Sequence, residues 1–228
     1  MNLGNVIITG GASGLGAATV EAVARHGGTP MVIDRKRPQA DVPYQAADLA
    51  DTEAVDSAVC LLADQADRRI DGLFTAAGID SCGKLADVSA KDWERVIHVN
   101  LLGTAAVVRS ALPFLKASGG RIVTCASTLG IKAVSDATAY CASKFGVVGF
   151  SRALAAELAG EVGVTMLIPG GMYTPFFDGR SDQYKPPTDA VLNKPENVAE
   201  TVVFALSQPA GCEIRELVVC ASTESSWP

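Results

Sequence analysis

The sequence predicts an α/β fold, a parallel sheet covered by helices on both faces. Two observations lead there. Short apolar runs of β-forming residues alternate with longer helix-favouring stretches along the whole chain, which is the pattern of strands joined by crossover helices. The first apolar run, Asn5-Val6-Ile7-Ile8, passes directly into a glycine-rich turn and then an Ala-rich stretch. A length of 228 residues suffices for one sizeable α/β domain. No repeat, low-complexity tract or linker divides it, so residues 1–228 are expected to form a single domain.

The elements follow in order. Residues 6–9 read as the first strand and 14–26 as the first helix, with glycines between them. Residues 30–33 form a second strand that ends in Asp34, and 44–47 a third. The helix at 52–66 has Asp51 as its cap and Glu53 in its first turn. A fourth strand is expected at 72–76. The apolar stretch 89–116 is expected to be two helices, or one broken near Lys91 to Trp93. Residues 121–126 are a fifth strand, 137–159 a helix and 164–168 a sixth strand. The last helix, 195–207, starts on Pro195, which suits a first turn. The last strand is placed at 215–220. Residues 171–194 stand apart. Pro175, Phe176, Phe177, Pro186 and Pro187 are mixed there with charges and without a period, so the segment reads as a binding loop or lid. Phe176 and Phe177 either contact substrate or anchor that loop to the body.

Composition excludes several classes. A net charge of -6 and no basic block argue against nucleic acid as a partner. No uninterrupted apolar run approaches the ~18 residues of a membrane span. No charged region followed by an apolar stretch opens the chain, so no signal peptide and a cytoplasmic location are expected. Six cysteines without a C-x-x-C pair read as reduced thiols. Only His26 and His98 are present. His98, next to Asn100 in an apolar stretch, reads as scaffold, and metal binding is not supported.

The chemistry concentrates in a few positions. Tyr140 and Lys144 are four residues apart on an expected helix, so they share a face. A cation beside a phenol favours the phenolate and draws its pKa of ~10 towards working pH. Ser127 lies thirteen residues upstream of Tyr140, at the end of the fifth strand, and Asn100 further back. At the other end, Thr9-Gly10-Gly11-Ala12-Ser13-Gly14-Leu15-Gly16 joins strand to helix. Such a turn lets backbone approach phosphates, and the helix start offers unpaired N–H groups and a positive dipole end. Asp34 falls about 20 residues on, where an acid that binds a ribose diol is expected.

Together, Thr9-Gly10-x-x-x-Gly14-x-Gly16, Asn100, Ser127, Tyr140-x-x-x-Lys144 and Pro169-Gly170-x-x-x-Thr174 resemble the short-chain dehydrogenase/reductase family from about residue 5 to the last strand near 220. One departure is visible: the Asn-Asn-Ala-Gly that often follows the fourth strand is Thr75-Ala76-Ala77-Gly78 here, which puts side-chain hydrogen bonds at that turn in doubt. The resemblance implies a doubly wound Rossmann fold with seven strands in the order 3-2-1-4-5-6-7. It also implies hydride transfer between a nicotinamide cofactor and a secondary alcohol or ketone. Tyr140 would be the general acid/base. Lys144 would lower its pKa and bind the nicotinamide ribose. Ser127 would hold the substrate oxygen, and Asn100 a water linking Lys144 to solvent. The cofactor contacts it implies are Gly10, Ser13, Gly14, Leu15, Gly16, Asp34, Ala77, Gly78, Pro169, Gly170, Met172 and Thr174, with Asp48 and Leu49 at the adenine. Asp48 could also cap the following helix.

Asp34 is suited to a ribose diol and would oppose a 2′-phosphate, which favours NAD over NADP. Arg35, Lys36 and Arg37 directly after it point the other way. Ile79, Asp80, Leu129, Val134, Met172, Tyr173 and Phe176 suggest a mainly apolar substrate pocket, with Ser127, Leu129, Tyr140, Tyr173 and Phe176 as substrate contacts. Two other functions remain open: an NADP-dependent 3-oxoacyl-type reductase, although the last strand lacks the Val-Asp-Gly-Gly-like end of such enzymes, and a non-catalytic NAD(P)-binding sensor. The long apolar helices are expected to pair across a two-fold axis in a homodimer or homotetramer. The tail ending in Trp227-Pro228 would close a neighbour's pocket or pack on its own subunit.

Overall fold

The computed structural model describes residues 3–227. Seven strands form the sheet: β1 (Asn5–Thr9), β2 (Thr29–Asp34), β3 (Tyr44–Ala46), β4 (Gly72–Thr75), β5 (Arg121–Cys125), β6 (Gly163–Pro169) and β7 (Glu216–Val219). All pairings are parallel. The order is β3-β2-β1-β4-β5-β6-β7, as the resemblance implied, and each strand starts within one residue of its expected place.

Side-chain alternation divides the core into two layers. Ile7, Ile33, Leu73 and Ile122 face one side of the sheet, where α2 (Thr52–Gln65) and α4 (Gly103–Ser118) cover them. Val6, Ile8, Val32, Phe74 and Val123 face the other, under α1 (Gly14–Arg25) and α6 (Pro195–Leu206). The period of two puts neighbouring residues on opposite faces, and both faces are dry, hence the unbroken apolar runs. Asp51 caps α2 as expected, accepting from the amides of Glu53 and Ala54 at 3.1 and 3.0 Å.

The stretch 89–116 holds two helices, one of the two expected alternatives, but it is not broken near Lys91 to Trp93. Ser89 caps α3 (Ala90–Ile97) by accepting from Asp92 N at 3.1 Å, so Lys91 to Trp93 lie in a regular first turn. The irregularity comes later, as a π-helical turn over His98–Leu102 that leads into α4 without a bend in hydrogen bonding. Asn100 sits in that turn. The joined rod Ala90–Ser118 is long and apolar enough to cross a membrane, but half of its most apolar window is buried within the fold, as in a core helix.

Chain order reverses beside β1, which has β2 on one side and β4 on the other. The helices that follow the adjacent strands β1 and β4 cover opposite faces, so the loops leaving their carboxyl ends diverge, and ligands of open α/β sheets bind in the crevice between them.

Candidate active site

A cleft of about 1000 Å3 opens at the carboxyl ends of β1, β2, β4, β5 and β6. Its floor is the glycine turn. Gly10 has φ +71°, and a Cβ there would lie 2.8 Å from the Ala77 Cα. A Cβ on Gly16 would run into the Gly10 carbonyl oxygen. The turn is therefore pressed against both the β4 loop and its own helix, closing the base of a cradle that side chains would fill. Ala77 N donates to Thr9 Oγ1 at 3.2 Å, so the β4 turn survives without its asparagines. The loss has a trace: the Thr75 hydroxyl, where the first asparagine would stand, is buried with no hydrogen-bond partner. Asp34 accepts from Ala12 N at 3.0 Å and Lys36 N at 2.9 Å, which ties the end of β2 to the glycine turn. Thr174 lies beside Gly14, with its methyl-bearing carbon 3.3 Å from where a Cβ would be. All the expected cofactor contacts line this one cleft.

Asp48 meets a partner that the sequence did not suggest, Arg95 of α3, whose Nη2 is 2.7 Å from the carboxylate. Burial pushes the Asp48 pKa up, but the Ala50 amide and the Arg95 and Arg35 guanidinium groups outweigh it and leave the pKa lowered. Asp48 does not cap α2, a task that Asp51 performs.

Tyr140 and Lys144 stand on the first turns of α5 (Thr138–Glu157) and Ser127 just beyond β5, all lining the cleft. Ser127 Oγ accepts from Leu129 N at 3.1 Å, capping a short 3-10 turn, and also faces the Tyr140 phenol. Burial is the largest influence on Tyr140 and pushes its pKa up; Cys125 adds to this, and Ser127 works against it. The pull expected from Lys144 is not delivered by this geometry. Its Nζ donates to Cys125 O at 2.7 Å and lies 5.7 Å from the centre of the Tyr140 ring. Burial lowers the pKa of Lys144 itself.

Asn100 differs more. It does not line the cleft. Its Oδ1 accepts from Ile79 N at 2.8 Å, and its Nδ2 donates to Ile79 O at 2.9 Å and to Ser143 Oγ at 3.0 Å. Ser143 Oγ in turn donates to Tyr140 O at 2.8 Å. Both amide hydrogens are used on protein partners. The side chain is a clamp that fastens the β4 loop to α5.

The substrate side is more charged than the sequence suggested. Arg180, from the loop after β6, pairs with Asp80 at 3.0 Å, with side chains only 15% and 6% exposed. Its guanidinium lies 4.8 and 4.7 Å from the ring centres of Phe176 and Phe177. Phe176 packs 5.5 Å from the Tyr140 ring, so it both anchors the loop and borders the reacting position. Leu129 lines the cleft. Tyr173 does not: it is 56% exposed and its hydroxyl donates to Ala190 O. Val134 points outward as well. The tail packs on its own subunit. Glu224 accepts from Gly171 N at 2.8 Å, Ser226 pairs with Thr128 at 2.6 Å, and Lys132 Nζ donates to Ser225 O. Trp227 follows, and Pro228 lies outside the described residues. Among the described residues no cluster could hold a metal ion.

The model of the short chain dehydrogenase family matches residues 4–185. The chain belongs to the short-chain dehydrogenase/reductase family. A D-threitol dehydrogenase of Mycolicibacterium smegmatis is 34% identical over 90% of this chain and 86% of its own. The short-chain dehydrogenase/reductase olcF of Penicillium canescens is 32% identical over 89% of each. Among solved structures, a levodione reductase superposes with TM-score 0.86 at 25% identity, over 96% of this chain and 97% of its own. An alcohol dehydrogenase of Thermococcus sibiricus, complexed with 5-hydroxy-NADP, shares the fold at TM-score 0.86 and 23% identity, over 96% and 97%.

A nicotinamide dinucleotide, the cofactor of this family, fits the residues present. The glycine cradle has no room for side chains, and the cleft is at the upper end of the ~300–1,000 Å3 typical of ligand sites. Arg95, Arg180 and Glu224 are the site residues that sequence reasoning missed. Only Arg180 carried a signal, as a cation in an aperiodic loop close to two phenylalanines.

Proposed function

We propose that this short-chain dehydrogenase/reductase interconverts a secondary alcohol and the corresponding ketone with NAD(H), using Tyr140 as general acid/base. The observation that carries the reading is the juxtaposition of Tyr140, Ser127 and buried Lys144 in the same cleft as the glycine cradle. The nicotinamide, when bound by the 169–174 turn, supplies or accepts the hydride. The chain does the rest. Tyr140, with its pKa raised, is protonated at neutral pH and donates to a carbonyl oxygen at its hydroxyl. Ser127 Oγ holds the same oxygen and stabilises the charge that develops on it. In oxidation Tyr140, once deprotonated, accepts that proton from the alcohol. Met172 and Thr174 hold the carboxamide and phosphates, Asp48 and Leu49 the adenine side. The relative named for D-threitol supports an alcohol as substrate.

Asp34, at the end of β2, supports NAD through the ribose diol. NADP is the second reading, favoured by Arg35 and Lys36, which also line the cleft. The proposal extends to assembly as a homodimer or homotetramer paired on α4 and α5, supported by Leu102 and Phe145, each 44% exposed. The test is absorbance at 340 nm with NAD and NADP in parallel against secondary alcohols and ketones. Turnover with NAD supports the reading, turnover with NADP alone transfers the decision to Arg35, and cofactor binding without any turnover refutes it.

A further inference from the structure

The substrate end of the cleft holds an ion pair that neither the glycine cradle nor the proton-transfer group requires. Arg180 and Asp80 meet at 3.0 Å and are almost wholly buried. A buried pair of this kind gains little stability over an apolar filling, so its place beside the reacting position calls for a chemical reason. The guanidinium lies over Phe176, which packs on the Tyr140 ring, so the pair is one aromatic ring away from the phenol. Both Asp80 and Arg180 act electrostatically on Tyr140. A third charge, Glu224, lines the same cleft, held by Gly171 N and by Ser226. It is ionised, because those hydrogen bonds outweigh its burial and lower its pKa.

Three substrate classes meet this constellation differently. An anion faces two carboxylates, Asp80 and Glu224, against a guanidinium that Asp80 already neutralises. A plain hydrocarbon alcohol fills the space but dehydrates these groups and offers them nothing, a mismatch that polar sites reject strongly. A neutral compound with several hydroxyls does both jobs. Each hydroxyl donates to a carboxylate and accepts from the guanidinium. Arg180 has the capacity: its guanidinium pairs with Asp80 at 3.0 Å and donates to Tyr184 O at 3.4 Å, which leaves several of its five N–H donors for a ligand.

We propose that the substrate is a neutral polyhydroxylated compound, an alditol or the ketose formed from it, and that Arg180 and Asp80 are the specificity-determining pair that hydrogen-bonds a hydroxyl next to the reacting carbon. The inference rests on the dehydrogenase reading above and narrows its substrate.

The experiment measures kcat/KM of the full chain for four- and five-carbon alditols, cyclohexanol and 3-hydroxybutyrate, with NADH binding followed separately by fluorescence. The expected preference for the best alditol is at least about 100-fold over both others. Arg180→Met should shrink that ratio at least about tenfold, chiefly through KM, and Arg180→Lys should restore part of it. If the pair is only a latch for the loop, Arg180→Met slows all three classes alike and leaves the ratio unchanged, which overturns the proposal. Preference for cyclohexanol or 3-hydroxybutyrate also overturns it and leaves the dehydrogenase reading standing. NADH binding with no turnover of any class removes both. The selectivity of the unaltered chain tests the substrate class even if every variant misfolds.

Discussion

Asn100→Ala separates a structural clamp from a proton relay. The substitution removes two hydrogen bonds to the Ile79 backbone, at 2.8 and 2.9 Å, and one to Ser143 Oγ, at 3.0 Å. Ile79 N and O lose their side-chain partner, at about 1 kcal/mol each, the low end of the range because Ile79 is only partly buried. The Ser143 bond adds a similar amount, so the loss is about 3 kcal/mol. For a chain of this size each kcal/mol moves Tm by about 2–4 °C, giving a fall of roughly 6–12 °C. Activity should fall as well, because the β4 loop and the start of α5 carry Gly78 and Tyr140, but the pH profile of kcat should keep its shape. Thermal unfolding by calorimetry and a pH–rate profile decide the matter. A Tm within about 2 °C of the parent, together with a collapsed kcat and a displaced profile, would show that proton transfer runs through Asn100 and refute the clamp.

Tyr140→Phe should retain NADH binding and lose about 10²–10⁴ in kcat, read by fluorescence titration and 340 nm kinetics; retained turnover removes Tyr140 from the acid/base role. Because burial raises the pKa of Tyr140, the acid form dominates below its ordinary value near ~10, so ketone reduction should stay level from about pH 6 to 9 while alcohol oxidation rises with pH. A reduction rate that falls with a midpoint near neutrality, and loses that midpoint in Tyr140→Phe, contradicts the raised pKa. Asp34→Ser should weaken NAD use and improve NADP use in parallel kcat/KM measurements, and an unchanged ratio would move the choice to Arg35. Phe145→Asp should yield monomers in sedimentation at micromolar concentration, whereas an unaltered assembly would place the interface away from α5.

The fold was legible in the sequence because its determinants are local. Strands buried on both faces read as unbroken apolar runs, and glycines fix the first turn whatever packs around it. The misplaced break in 89–116 shows where locality ends. Ser89-x-x-Asp92 does mark a helix start, which makes Lys91 to Trp93 a regular first turn, but nothing in His98-Val99-Asn100 marks a π turn. The π turn sits where Asn100 closes three hydrogen bonds to segments 21 and 43 residues away, and a single extra residue in a helical turn is a small distortion set against those bonds.

The site divides along the same line. Tyr140, Lys144, the glycines and Asp34 were legible because helix period and strand-to-helix order alone bring them together. The Asp80–Arg180 pair joins residues 100 apart through a loop without a period, and Glu224 reaches Gly171 from the far end of the chain. Reading Asp80 alone among Ile79, Leu129 and Phe176 therefore suggested an apolar pocket. Arg180 was a visible cation, but nothing in the sequence joined it to Asp80, and with that partner the buried carboxylate becomes half of an ion pair. The proposed proton-transfer group stands on α5 and the strand ends, while two of the three charges that would choose the substrate come from the 171–194 loop and the tail. Substitutions there can change the substrate while leaving the proton-transfer geometry in place, so the substrate of this chain has to be read from Asp80, Arg180 and Glu224 rather than from the family motifs.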